Sequence, residues 1–168
     1  FAETGHLCLA TLHSNNADQT LERILNFFPE SAHKNILMNL ALNLKAVISL
    51  RLVVGKDGKR LPASEVLINT PHVQELVKKG DVMGVKEALI RSAEKGMQSF
   101  DVALYQLYLD GKVTLEEAIA NADSRSNIHR AAEIAMAMSR RMTSTSWNCP
   151  RNFFQAGTGF SAVNSLRP

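Results

Sequence analysis

Apolar and polar positions along the chain fall into periods that predict its elements in order. Leu7-Cys8-Leu9-Ala10-Thr11-Leu12 is apolar without alternation, the pattern of a strand buried on both faces. Asn16, with Gln19 three residues later and Asp18 between, reads as a helix start. Leu21, Ile24, Leu25 and Phe28 then share one helical face until Pro29 ends it. A second helix carries Ile36, Leu37, Leu40 and Leu44 on one side. Val47 to Val54 and Leu61 to Asn69 read as two strands, and Gly55-Lys56-Asp57-Gly58 between them predicts an antiparallel hairpin.

From residue 70 the pattern turns helical. Thr70-Pro71 is a cap followed by proline at the first helical position, and Gly80 closes that helix; Val73, Leu76 and Val77 share one face, with His72, Gln74, Glu75, Lys78 and Lys79 outward. Asp81 caps the next, which runs towards Gly96. Ser99 caps a third, with Phe100, Leu104, Leu107 and Tyr108 inward and Asp110-Gly111 at its end. Thr114-Leu115-Glu116-Glu117 is a capping box that opens a fourth. No apolar period continues after about Met142.

At 168 residues, 45% hydrophobic and 21% charged, the chain has the size and composition of a globular domain with a buried core. No apolar run approaches the roughly eighteen residues that span a bilayer, and no secretion signal opens the chain; the expected compartment is the cytoplasm. Two cysteines without a CxxC pair, Cys8 and Cys149, exclude a disulfide framework and a cysteine-built zinc site. The chain opens on Phe1, so its start is expected to lie upstream. Charge is uneven: residues 1–124 hold 13 Lys+Arg against 15 Asp+Glu, whereas 125–168 hold 6 Arg and only Glu133. The body therefore shows no basic field for nucleic acid. The tail is expected to be either disordered and basic or a stretch from a non-native reading frame.

Chemistry points to the first strand. In an open α/β sheet, ligands sit beyond the carboxyl ends of the strands, ahead of the next helix. His13, Ser14 and Asn15 fall there, beside a helix N-terminus that favours anions such as phosphate. His6 lies seven residues earlier, roughly 23 Å away along a strand and on its other face, so the two histidines do not share a ligand within one subunit. Cys8, in mid-strand, reads as a small core residue. His33, His72 and His129 read as surface positions, and Lys78-Lys79 as a solvated helix end. The sequence contains no HExxH, GxSxG or GxxxxGK[ST], so no complete catalytic site assembles from these residues alone.

Ala2-Glu3-Thr4-Gly5-His6-Leu7 through Ala10-Thr11-Leu12-His13-Ser14-Asn15 resembles the histidine box of the secretion and pilus-motor ATPases. The likeness continues through Arg23-Ile24-Leu25-Asn26-Phe27-Phe28-Pro29-Glu30, Asn43–Ser49, Glu65–Pro71 and Gly96–Asp101, and ends near Asn121–Ser124. Over about 1–124 the chain is similar to the twitching-motility retraction ATPases of type IV pili, and within them to the PilU branch more than to the PilT branch. The assembly ATPases of type II secretion resemble it less, since their four-cysteine zinc insertion has no counterpart here.

The resemblance implies an α/β fold: the C-terminal part of a RecA-like P-loop ATPase core followed by a helical C-terminal region. Residues 1–69 would be the partial core, 70–124 the helical region and 125–168 an atypical tail. It implies a homo-hexameric motor on the cytoplasmic face of the inner membrane, using ATP with Mg2+. Its partners would be the membrane platform protein of the pilus machine and a sister retraction ATPase. It maps the terminal-phosphate contact onto His13 and the first histidine of the box onto His6. A motif for motor output maps onto the helix bearing Val73, Gln74, Glu75, Leu76 and Lys78. Gln74 stands where that motif usually carries arginine, and Leu50 where the family usually has glutamine. The resemblance also implies that the Walker A lysine, the aspartate box and the Walker B glutamate belong N-terminal to Phe1. The reading from another class is a non-catalytic helical interaction module with a basic tail.

Overall fold

The computed structural model describes residues 1–91 and 96–141, with side chains given as far as Glu133. Among these residues seven α-helices and one hairpin follow a short 3-10 turn: α1 Ala17–Leu25, α2 Glu30–Asn43, β1 Ala46–Val54, β2 Arg60–Ile68, α3 Pro71–Lys79, α4 Val82–Arg91, α5 Phe100–Leu109, α6 Leu115–Ala120 and α7 Arg125–Arg141. The expected caps are made. Asn16 accepts from the Gln19 N–H at 3.2 Å, and Thr70 from Val73 at 3.4 Å. Asp81 accepts from Gly84 at 2.8 Å, Ser99 from Val102 at 3.5 Å, and Thr114 from Glu117 at 3.2 Å. Gly80 ends α3 at φ 70°, a left-handed conformation that a side chain would strain.

The hairpin organises the packing. β1 and β2 pair antiparallel, with Val47 opposite Leu67, Ser49 opposite Glu65, Arg51 opposite Ala63 and Val53 opposite Leu61. Alternation puts these residues on the inner face. Val47 and Leu67 join a cluster with Leu21, Ala41, Val73, Val77, Val85 and Leu89. Val53 and Ala63 join a second one with Phe100, Leu104, Val113, Ala118 and Ile128. The middle of the inner face is polar: Ser49, Glu65 and Arg51 lie between two apolar clusters. α3 and α4 thus share a cluster with α1 and α2.

Four expectations change. Residues 7–12 form no strand, and Leu7 and Leu9 are 83% and 90% exposed. Cys8 is exposed with a free thiol, not a core residue. A strand exists through hydrogen bonds to a neighbour, and among the described residues the sheet has only β1 and β2. α1 stops at Leu25, four residues short of Pro29, so Phe28 is 43% exposed. At the other end, residues 125–141, expected in the tail, form α7. Its Ile128 is fully buried, and Tyr105 donates a hydrogen bond to the Ala131 carbonyl at 3.2 Å. Trp147, Cys149 and the rest of 142–168 lie outside the described residues.

Candidate functional site

His6 belongs to a local turn. Ala2–Thr4 form one turn of 3-10 helix, closed by Gly5 at φ 86°. The Thr4 hydroxyl donates to the Phe1 carbonyl at 2.8 Å, so its oxygen accepts at 3.0 Å from His6, whose Nδ1 then carries the hydrogen. The Phe1 ring meets the His6 ring edge-on at 6.0 Å. Both histidines are exposed. Since residues 7–12 are not a strand, the two-face argument for separating His6 from His13 does not apply.

His13 opens a short loop that is tied to α1 at every step. The Arg23 guanidinium donates to the His13 carbonyl. The Thr20 hydroxyl donates to the Asn16 carbonyl at 2.8 Å, which leaves the Ser14 hydroxyl as donor in the 2.7 Å contact between them. The Asn15 N–H reaches the Gln19 side chain at 3.3 Å. Loop and helix therefore form one unit with the His13 ring at its outer edge.

The N-terminus of α1 is not an open anion cradle. Its first N–H, on Ala17, donates to Glu65 Oε1 at 2.7 Å, and its third, on Gln19, to Asn16. Asp18 adds another negative charge in the same turn. Glu65 is 3% exposed. Burial, reinforced by Asp123 and Asp18, pushes its carboxyl up to about 7, against the Ala17 N–H and Arg51, which favour the charged form. Among the described residues no three His, Cys, Asp or Glu side chains cluster as metal ligands.

Arg51, beside Glu65 on the inner face, fastens the other cluster. It pairs with Asp123 at 2.7 Å, donates to the Asn121 carbonyl at 3.0 Å and lies 3.9 Å above the centre of the Phe100 ring. Asp101 accepts from the Asp123 and Ser124 N–H groups at 2.9 and 3.2 Å, and burial raises its carboxyl above the usual range. The segment 121–124 between α6 and α7 is thereby held by both β1 and α5. Glu117 completes no capping box; its carboxylate accepts instead from the Val54 N–H at 2.9 Å.

In α3, Val73 and Val77 are buried and Leu76 is half-buried against the same cluster. Gln74 is half-buried, with its amide 3.4 Å from the Asn69 carbonyl, not outward as the spacing suggested. Glu75 is exposed and pairs with Lys78 at 2.9 Å. Sequence reasoning gave no role to Glu65, Arg51, Asp101 or Asp123. The available signal was alternation: in β1 and β2 the charges at 51 and 65 fall in register with inward apolar positions.

The sequence profile of the type II/IV secretion system proteins matches residues 1–158. The chain belongs to this family. It is 55% identical over 129 residues to the type IV pilus ATPase PilU of Pseudomonas aeruginosa, covering 76% of this chain and 34% of that protein. Identity to the type IV pilus retractation ATPase PilT of the same organism is 33%, covering 70% of this chain and 34% of the relative. Among solved structures, the pilus retraction motor PilT with bound ADP superposes with a TM-score of 0.62 at 29% identity, over 71% of this chain and 33% of that one. The DotB ATPase of Yersinia pseudotuberculosis shares the fold, with a TM-score of 0.56 at 23% identity. The chain is an α/β member of this family, more similar to PilU than to PilT, and spans about a third of the length of the relatives it matches.

Proposed function

We propose that this chain forms part of a motor that couples ATP hydrolysis to type IV pilus retraction. The 55% identity to a type IV pilus ATPase carries this reading. The motor would be a homo-hexamer at the cytoplasmic face of the inner membrane, working with the platform protein and a sister retraction ATPase. In this reading the RecA-like core binds ATP with Mg2+, whose charges stabilise the transferring phosphoryl group. His13 contributes a hydrogen bond to the terminal phosphate from a loop pinned to α1, and His6 is the first histidine of the same box. α3, with Val73, Gln74, Glu75, Leu76 and Lys78, transmits motion rather than hydrolysing nucleotide.

The test is steady-state ATP turnover by the complete gene product. His13→Ala should lower kcat by the equivalent of about 2–4 kcal/mol in the barrier, as loss of a donor to developing charge does. The melting temperature should stay near that of the parent, because the His13 ring is exposed and contributes no buried contact. Unchanged kcat in a folded His13→Ala protein removes this residue from the site.

A further inference from the structure

The loop bearing His13 is bonded to α1 through the Ser14 and Asn16 side chains, the Asn15 N–H and the His13 carbonyl, met by Thr20, Gln19 and Arg23. Its orientation is therefore decided by whatever orients α1. Leu21 and Ala17 bury α1 against the first apolar cluster, but apolar contact is non-directional. The directional contact between the N-terminal end of α1 and the sheet comes from Glu65, forty-eight residues away, whose Oε1 accepts the Ala17 N–H at 2.7 Å in a buried setting. Glu65 sits in the middle of β2, opposite the buried Ser49 on β1. A second attachment, from Lys86 of α4 to Asp18, is long at 3.8 Å and partly exposed.

We propose that Glu65 is a positioning residue for His13: it fixes the start of α1 on the hairpin and so sets where the imidazole meets the terminal phosphate. This rests on the reading of His13 given above. The requirement is for an acceptor of the right reach. A glutamine retains it, whereas an aspartate, one methylene shorter, cannot reach Ala17 without pulling the loop inward. The positioning does not involve substrate contact by Glu65 itself.

The decisive experiment is a double-mutant cycle on ATP turnover by the complete gene product. Glu65→Ala and Glu65→Asp should each lower kcat about tenfold with KM within twofold, while Glu65→Gln should keep most of the parent rate. In a His13→Ala background the same three substitutions should change kcat less than twofold, because the residue through which Glu65 acts is gone. If Glu65→Ala does not fold, Glu65→Asp carries the comparison. Equal losses in both backgrounds would make Glu65 merely structural and overturn the proposal. So would a parent-like kcat in folded Glu65→Asp. If His13→Ala alone leaves kcat unchanged, the reading of His13 fails first, a separate outcome from either of these.

Discussion

Glu65 also couples stability to pH, and the sign follows from its burial. The folded protein takes up the Glu65 proton near pH 7, the unfolded chain near the ordinary value of 4.5. Between those values the folded state binds more protons, so stability is greatest at the acid end and falls as pH rises through 7. A shift of that size corresponds to on the order of 3 kcal/mol. The charged groups acting on it are Asp123, Asp18 and Arg51. Urea midpoints at pH 5 and pH 8 should show this loss in the parent, and Glu65→Gln should remove most of it. Asp101, raised in the same direction, leaves a smaller residual slope. An identical slope in both proteins would mean that the Glu65 carboxyl titrates as a solvated one. None of this was legible from Glu65 alone. Glutamate is ordinarily exposed, and only its register with the inward Ala63 and Leu67 of β2 turns it inward.

At the scale of the element, caps and turns were legible because they are local. Thr70, Asp81, Ser99 and Thr114 each accept a bond from the N–H three residues on, a distance sequence spacing fixes. The apolar run 7–12 was misread because a strand's existence depends on neighbours that its own residues do not specify. Gln74 was misread because helical spacing gives a direction but not what stands there, here the Asn69 carbonyl. α3 therefore divides into two classes of substitution. Leu76→Ala, at a half-buried position, should cost about 1–3 kcal/mol, below the full-burial range. Glu75→Ala, losing only an exposed pair with Lys78, should stay within about 0.5 kcal/mol. If α3 transmits motor output, Glu75→Ala in the complete gene product should reduce twitching while ATP turnover persists. Normal twitching would make α3 scaffold only. Arg51→Met belongs at this scale too, since Arg51 joins β1 to the 121–124 segment. It removes the pair with Asp123, the bond to the Asn121 carbonyl and the contact with the Phe100 ring, and should cost about 1–3 kcal/mol. Hydrogen exchange should rise chiefly at the Asp123 and Ser124 amides, and exchange left unchanged there would show that Asp101 suffices.

At the scale of the whole molecule, the hairpin contributes to both apolar clusters, and its outer face carries Ile48, Leu50, Leu52 and Val54, each at least half exposed. The sequence showed these residues as strand but could not show which face was covered, because that depends on where helices return. The same reasoning bears on chemistry. Phosphoryl transfer needs a phosphate cradle, metal ligands and a group that positions water, acting together. This sequence contains no GxxxxGK[ST], and the first N–H of α1 is already taken by Glu65. In the role proposed for it, His13 acts on a phosphate that such a cradle would hold. The purified 168-residue chain should accordingly show no Mg2+-dependent ATP turnover above background. Adding the remainder of a retraction ATPase as a separate polypeptide should restore turnover only if the two associate. Turnover by the chain alone, abolished by His13→Ala, would show that these residues build a complete site and would overturn the division of labour proposed for the motor.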